Sequence, residues 1–275
     1  FELGNAGFLI SEDDSQNTAI VRAGTQSGVI FDYRNGRDLT QRPRGVKIID
    51  LHGWAIDTVR VELPEIYQRL LERVKPEREQ NRDSNLRENW WLHRRTRADL
   101  RKMLLGVSRY IATVETAKHR LFTFLECSIR PDNKLINIAL DSPCHLGVLS
   151  SRLHVLWSFS AGSRLGVGND PVYVKSRCFE TFPFPVLDRH QADKIGKLAG
   201  QIDAHHKKQQ MFHASITLTG MYNVLEKLRS GEELTDKEKA IHQKGLISIL
   251  RELHDNLDRA VFEAYGWSDL ADKLV

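Results

Sequence analysis

The sequence predicts an α+β fold: a mixed-sheet module over residues 1–187, then an α-helical region over 188–275. Three observations carry this reading. Short β-branched runs bounded by Gly, Asp and Asn recur through the first 140 residues, which is the pattern of strands. Phe182-Pro183-Phe184-Pro185 can continue neither a helix nor a central strand, because each proline lacks an N–H and restricts the residue before it; it marks a boundary. Beyond Leu187 the β-branched runs give out and apolar residues fall at helical spacing.

Taken in order, Gly7-Phe8-Leu9-Ile10, Val29-Ile30-Phe31 and Val46-Lys47-Ile48-Ile49-Asp50-Leu51 read as strands, so residues 1–60 are expected to be short strands and turns. Within them, Asn35-Gly36 favours a tight turn with positive φ, with Arg34 and Arg37 displayed on either side. Pro64 suits the first turn of a helix, whose stripe is Ile66, Leu70, Leu71 and Val74. The polar run 75–89 ends at Trp90-Trp91. This tryptophan pair is either a base-stacking platform among basic residues or an anchor for a long polar loop. Residues 97–105 read as a short helix, and 110–114, 121–125 and 135–140 as strands. The first two of these strands are joined by the basic loop Glu115-Thr116-Ala117-Lys118-His119-Arg120.

Ser142-Pro143 is an N-cap followed by a first-turn proline. The helix it opens carries Leu146, Leu149, Leu153, Leu156 and Trp157 on one face and ends at Gly162. Tyr173-Val174 reads as a further short strand. In the C-terminal region, Ile195, Leu198 and Ile202 mark one helix, and Thr219 caps a second that closes at Gly231. Thr235-Asp236-Lys237-Glu238 is a capping box. It launches one long helix bearing Leu246, Leu250, Leu253, Leu257 and Val261, which Gly266 terminates.

Composition narrows the classes. The chain has 275 residues, 41% hydrophobic and 28% charged, with net charge +4, which suits a globular protein. No apolar run approaches the roughly 18–20 residues of a membrane span, so no membrane partner is expected. Three cysteines without a CxxC spacing argue against a disulfide framework or zinc knuckle, and for buried thiols in a cytoplasmic protein. The start at Phe1-Glu2-Leu3-Gly4 suggests a piece of a longer protein. Residues 72–120 carry about twice as many Lys and Arg as Asp and Glu, a local basic bias compatible with nucleic-acid binding.

Residues 161–185 read AGSRLGVGNDPVYVKSRCFETFPFP. A phosphate-cradling loop needs glycines between a strand and the start of a helix; here they follow a helix, and no Gly-Lys-Ser/Thr comes after. Asn169-Asp170-Pro171-Val172-Tyr173 looks like a base-flipping methylase signature but lacks its second proline. Pro131-Asp132-Asn133-Lys134 has no second carboxylate in nuclease register. His205-His206 shows no metal spacing and is read as surface histidine. Gly147-Val148-Leu149-Ser150-Ser151 lies inside a helix, the wrong place for a nucleophile elbow. No catalytic or metal residue is assigned, and no cofactor is expected in this chain.

Several stretches together resemble the region downstream of the catalytic domain in class I DNA methyltransferases, in the MmeI-like branch of restriction–modification enzymes. They are residues 33–39, Arg87-Glu88-Asn89-Trp90-Trp91, Arg109-Tyr110-Ile111-Ala112, Ala117-Lys118-His119-Arg120, residues 145–151, Gly166-Val167-Gly168-Asn169-Asp170 and residues 178–185. The resemblance implies a target recognition domain whose partners are double-stranded DNA and an N6-adenine methyltransferase domain of the same parent chain. S-adenosylmethionine would then bind in that other domain. It also implies that base reading centres on 163–175. There Arg164 or Arg177 offers a fork to guanine, Asn169 a donor–acceptor pair to adenine, and Asp170 an acceptor to cytosine. Ser163 and Tyr173 lie in the same stretch. Lys175, Arg34, Asn35, Arg37, Lys118 and Arg120 would hold phosphates. The rival reading is a protein-interaction module docking through the 219–265 helices, which would need an exposed apolar seam along 246–261.

Overall fold

The computed structural model describes residues 1–11, 17–166 and 170–274. The fold is α+β, and the chain forms two compact units that interleave along the sequence. One comprises Phe1–Asn35, Pro43–Gly106 and Glu126–Asn133; the other comprises Gly36–Arg42, Val107–Leu125 and Lys134–Val275.

The first unit carries β1 (Leu9–Ile10), α1 (Asn17–Gln26) and β2 (Ile30–Arg34). With α2 (Gly36–Thr40) assigned to the second unit, it continues through β3 (Lys47–Ile49), α3 (Ile56–Glu62), α4 (Pro64–Arg73), α5 (Lys75–Glu79), α6 (Ser84–Glu88) and α7 (Ala98–Met103). Its sheet also includes β6 (Arg130–Pro131) and has the order β1-β3-β2-β6. The first two pairings are antiparallel, with Leu9 opposite Ile48 and Ile30 opposite Ile49; β2–β6 is parallel. Ile66, Leu70 and Val74 recur every four residues, so one helical stripe meets Phe8, Ile10, Ile30 and Ile49 in the core. Arg69 turns inward and donates to the carbonyls of Gly7 (3.3 Å) and Leu9 (2.7 Å). The buried Asp50 carboxylate accepts two bonds from Arg101 (2.7 and 2.8 Å) and one from Arg130 (2.9 Å).

Some expectations for this region need correction. Residues 1–60 hold α1, α2 and the start of α3 as well as strands; Ile20, Val21 and Ile56 pack on the core there, and that contact overrides their β propensity. The polar run 75–89 is partly helical, because Pro76 falls in a first turn, where it is tolerated. Trp90 is buried edge-on to Tyr67, and the Trp91 indole donates to Trp54 O at 2.9 Å, so the pair is an anchor and not a stacking platform.

The second unit is built on β4 (Arg109–Val114), β5 (Thr123–Glu126) and β7 (Leu135–Ile138), in the order β5-β4-β7, with β4 antiparallel to β7. Then come α8 (Pro143–Ser150), α9 (Arg152–Ala161), β8 (Ser163–Leu165), β9 (Asp170–Val172), α10 (Lys175–Cys178) and α11 (Arg189–Phe212). The chain continues through α12 (Leu218–Ser230), α13 (Asp236–Gly245), α14 (Ile247–Ala264) and α15 (Ser268–Leu274). Helix α8 lies close on α11 because residue 147 is glycine: a Cβ there would stand 2.5 Å from Ile195 Cγ2 and 3.1 Å from Ile195 O. Val148, Ile195, Ile202, Met221, Val224, Leu250 and Leu257 close the larger core.

Gly36 opens the one-turn helix α2 and does not make a positive-φ turn; its lack of a side chain matters because a Cβ would sit 3.0 Å from Val114. The helix expected to run from Pro143 to Gly162 breaks at Ser151, whose backbone is extended and whose hydroxyl caps α9. Leu156 is consequently exposed. Thr217, not Thr219, caps α12. The capping box at Thr235 forms, but its helix stops at Leu246, which adopts a left-handed conformation (φ 47°) and separates α13 from α14. Leu250, Leu257 and Val261 are buried and Leu253 packs against the same core, so of the 246–261 seam only Leu246 at its head is exposed. Cys178 is buried, whereas Cys127 and Cys144 are half-buried. His205 and His206 are buried and not on the surface: the Gly245 carbonyl accepts from His205 Nε2 at 2.8 Å, and Tyr222 Oη lies 3.1 Å from His206 Nε2 and 2.7 Å from His254 Nε2. Among the described residues no helix is long and apolar enough to cross a membrane, and no cluster of three or more His, Cys, Asp or Glu could hold a metal.

Candidate nucleic-acid interface

Strands β8 and β9 form a separate two-stranded antiparallel ribbon in the second unit, with Ser163 opposite Val172, Arg164 opposite Pro171 and Leu165 opposite Asp170. Side chains alternate along a strand, so Arg164 projects from one face, and Ser163 and Leu165 from the other. Ser163, Arg164, Leu165 and Asp170 are all exposed. Leu165 is 55% exposed, a large apolar group that sequence reasoning passed over. Asn169 lies outside the described residues. At the foot of the ribbon Gly162 is required: a Cβ would stand 2.5 Å from Ser158 O and 2.6 Å from Val172 O, both backbone atoms that cannot yield.

Arg177 also serves that foot. Its guanidinium donates to Ala161 O at 2.8 Å and to Gly162 O, which engages its fork with backbone instead of leaving it to read a base. Lys175, two residues earlier, is exposed at the start of α10.

The other edge of β9 is bound to the basic loop. Tyr173 N donates to Glu115 O (2.7 Å), Ala117 N donates to Pro171 O (3.3 Å), and Thr116 bridges to Val172. Beneath this junction lie two residues expected at the DNA surface that the structure places inside. Arg120 is 5% exposed and donates to Thr113 Oγ1 (3.2 Å), Val114 O and Pro171 O (3.4 Å). Burial pulls its pKa down to about 10, so it remains a cation at neutral pH. Tyr173 is 1% exposed, lies under the Arg120 guanidinium at 5.0 Å, and pairs its hydroxyl with His154 Nε2 at 2.9 Å. Burial raises the Tyr173 pKa and lowers that of His154 to about 3. Neither Arg120 nor Tyr173 can meet a phosphate or a base from there.

The same basic loop forms one wall of a cleft of about 440 Å³. Arg37 from α2 and Lys118 from the loop line it, with Thr40, Thr116 and Thr219 between them. Arg37 Nε donates to Gln41 Oε1 (3.1 Å), and Lys118 Nζ to Asn223 Oδ1 (2.7 Å), with Glu226 at 3.1 Å. These partners are at the surface, where water and salt weaken them and an incoming phosphate can compete. The structure thus brings two separately expected cationic positions, Arg37 and Lys118, to one concavity. It does not do so for Arg34 and Asn35, which belong to the first unit; both are half-buried, and Arg34 donates to Tyr33 O at 2.9 Å.

The family model described as "MmeI, target recognition domain" matches residues 6–186. Among solved structures, the Type IIL restriction-modification enzyme MmeI in complex with DNA is similar, with a TM-score of 0.70 and 19% identity. That likeness covers 97% of this chain and 32% of the other, so the chain spans about a third of the length of the enzyme it matches. No curated protein sequence matches.

Proposed function

This chain belongs to the MmeI target recognition domain family, and from that premise we propose that it reads a specific sequence in double-stranded DNA on behalf of a larger restriction–modification enzyme. The observation that carries the mechanism is the β8–β9 ribbon, exposed at Ser163, Arg164, Leu165 and Asp170 and joined through residues 115–117 to the cleft of Arg37 and Lys118. A two-stranded ribbon fits the major groove. There Arg164 would present a fork to guanine O6 and N7, Asp170 would accept from a cytosine amine, and Leu165 would contact a thymine methyl group. Arg37, Lys118 and Lys175 would neutralise phosphates and fix the register without reading sequence.

The methyltransferase activity of the parent enzyme, with S-adenosylmethionine as its donor, belongs in this reading to a domain outside the chain. The glycines here do not match the loop such a cofactor uses: Gly162 lies between α9 and β8 and Gly166 follows β8 within the ribbon, neither in the strand–glycine–helix order of dinucleotide- and phosphate-binding loops. No chemical step is therefore assigned to this chain.

The test is selection of bound duplexes from a random pool at low and moderate salt, for the wild type and Arg164→Ala. A single enriched motif is expected. The substitution should relax one position in it by roughly 5- to 150-fold, the equivalent of about 1–3 kcal/mol for a bidentate base contact. Binding that enriches no motif and collapses uniformly as salt rises would leave only a basic surface and refute the reading.

A further inference from the structure

Arg120 is a buried cation without a carboxylate. Among the described residues its partners are the Thr113 hydroxyl, the carbonyls of Val114 and Pro171, and the face of the Tyr173 ring. Taking a guanidinium out of water without a counter-charge is costly, and a methionine of similar length would fill the space without that cost. What the guanidinium adds is reach in two directions at once. One N–H end holds the last residue of β4, and the other holds the middle residue of β9. Pro171 has no N–H, so its carbonyl does the joining on that side, accepting from both Ala117 N and Arg120. Directly across the ribbon from Pro171 is Arg164.

We propose that Arg120 is a positioning residue for base recognition: its fork fixes the β8–β9 ribbon against the basic loop, so that Arg164 and the phosphate-facing Lys118 are held in one register. This rests on the DNA-reading function proposed above. Lysine keeps the charge but has no planar fork to span two carbonyls, so it separates the geometric role from the electrostatic one.

The experiment compares the wild type, Arg120→Lys and Arg120→Met in the intact protein. Backbone hydrogen exchange at Ala117 and Tyr173 should accelerate at least tenfold in both variants. The preference for the selected duplex over one altered at the Arg164-dependent base should fall about tenfold, while affinity for random-sequence DNA and its salt dependence stay within about twofold. A merely structural role would not move that ratio, because a loss of folded protein lowers matched and mismatched binding alike. If Arg120→Met does not fold, Arg120→Lys and Thr113→Val, which removes one acceptor of the fork, decide the matter. An unchanged preference in folded variants overturns the positioning role alone. A wild type that shows no base preference removes the reader, and this role with it, whatever exchange at Ala117 shows. Unchanged exchange at Ala117 and Tyr173 overturns the clamp itself.

Discussion

The buried histidines of the second unit should make this protein acid-sensitive, and His206 provides the cleanest test. Its imidazole is buried beside Tyr222 and His254, on a helix that also carries His205, Asp203 and Lys207. Arg152, Arg229 and Asp258 line a pocket together with His206, Tyr222 and His254. Burial, reinforced by the charges of His205 and Lys207, lowers the His206 pKa to about 4, against the opposing pull of Asp203. The unfolded chain therefore takes up a proton more readily than the folded one. The stabilisation is present in full above the unfolded pKa of about 6.5 and is lost as pH falls toward the folded value. Between pH 7 and 5 this amounts to about 2 kcal/mol for His206 alone. His154, with a pKa near 3, contributes a similar loss, and His254 acts in the same direction.

Asp258 opposes them. Burial raises its pKa to about 6, so the folded state binds this proton more readily than the unfolded one. Asp258 destabilises above that pH and returns about 1 kcal/mol as pH falls from 7 to 5. Replacing His206 with Asn keeps a polar partner for the Tyr222 hydroxyl but removes the titration. Urea unfolding at pH 7, 6 and 5 should show the wild type losing stability, and His206→Asn losing about 2 kcal/mol less over the same interval. The Asp258 contribution is common to both proteins and cancels in the difference. Equal losses in the two proteins would show that His206 is not held neutral in the fold, and would refute the reasoning.

Two further predictions concern stability away from the ribbon. Asp50→Asn leaves Arg101 and Arg130 facing a neutral amide, and because the carboxylate is buried while both arginines are mostly so, the cost should be about 3 kcal/mol, read as a lower urea midpoint; an unchanged midpoint would mean that the arginines find water instead. Leu246 holds a left-handed backbone and is 44% exposed, so Leu246→Gly should raise stability by about 0.5–1 kcal/mol through relief of that conformation, and a fall in the thermal midpoint would show that its partial packing outweighs the strain.

Leu246 also shows where sequence reasoning stops. The apolar steps from Leu246 through Leu250 and Leu253 to Leu257 run on as if the helix began at Thr235, because the left-handed residue is a leucine and not the glycine or asparagine that would announce a stop. The break at Ser151 is hidden the same way, inside an apolar pattern that continues across it. Elements with local chemical punctuation were legible: the proline at 64 and the capping box at 235 each act within a few residues, through a missing donor or a cap. The ribbon was legible only as a region, since residues 163–175 mark themselves as exposed by glycine and charge. Which charges face outward was not written there. Arg120 and Lys118 are neighbours in one basic loop and look equivalent in sequence. They differ because the carbonyls of Val114 and Pro171 meet over one of them, and that meeting brings together the end of β4 and the middle of β9, which are far apart in the chain. The interior histidines follow the same logic: His206 is a surface residue until α12 and α14 bring Tyr222 and His254 against it. A polar side chain declares itself buried only when its partners arrive from elsewhere in the chain, so the residues that position a recognition ribbon are harder to read from sequence than the residues that protrude from it.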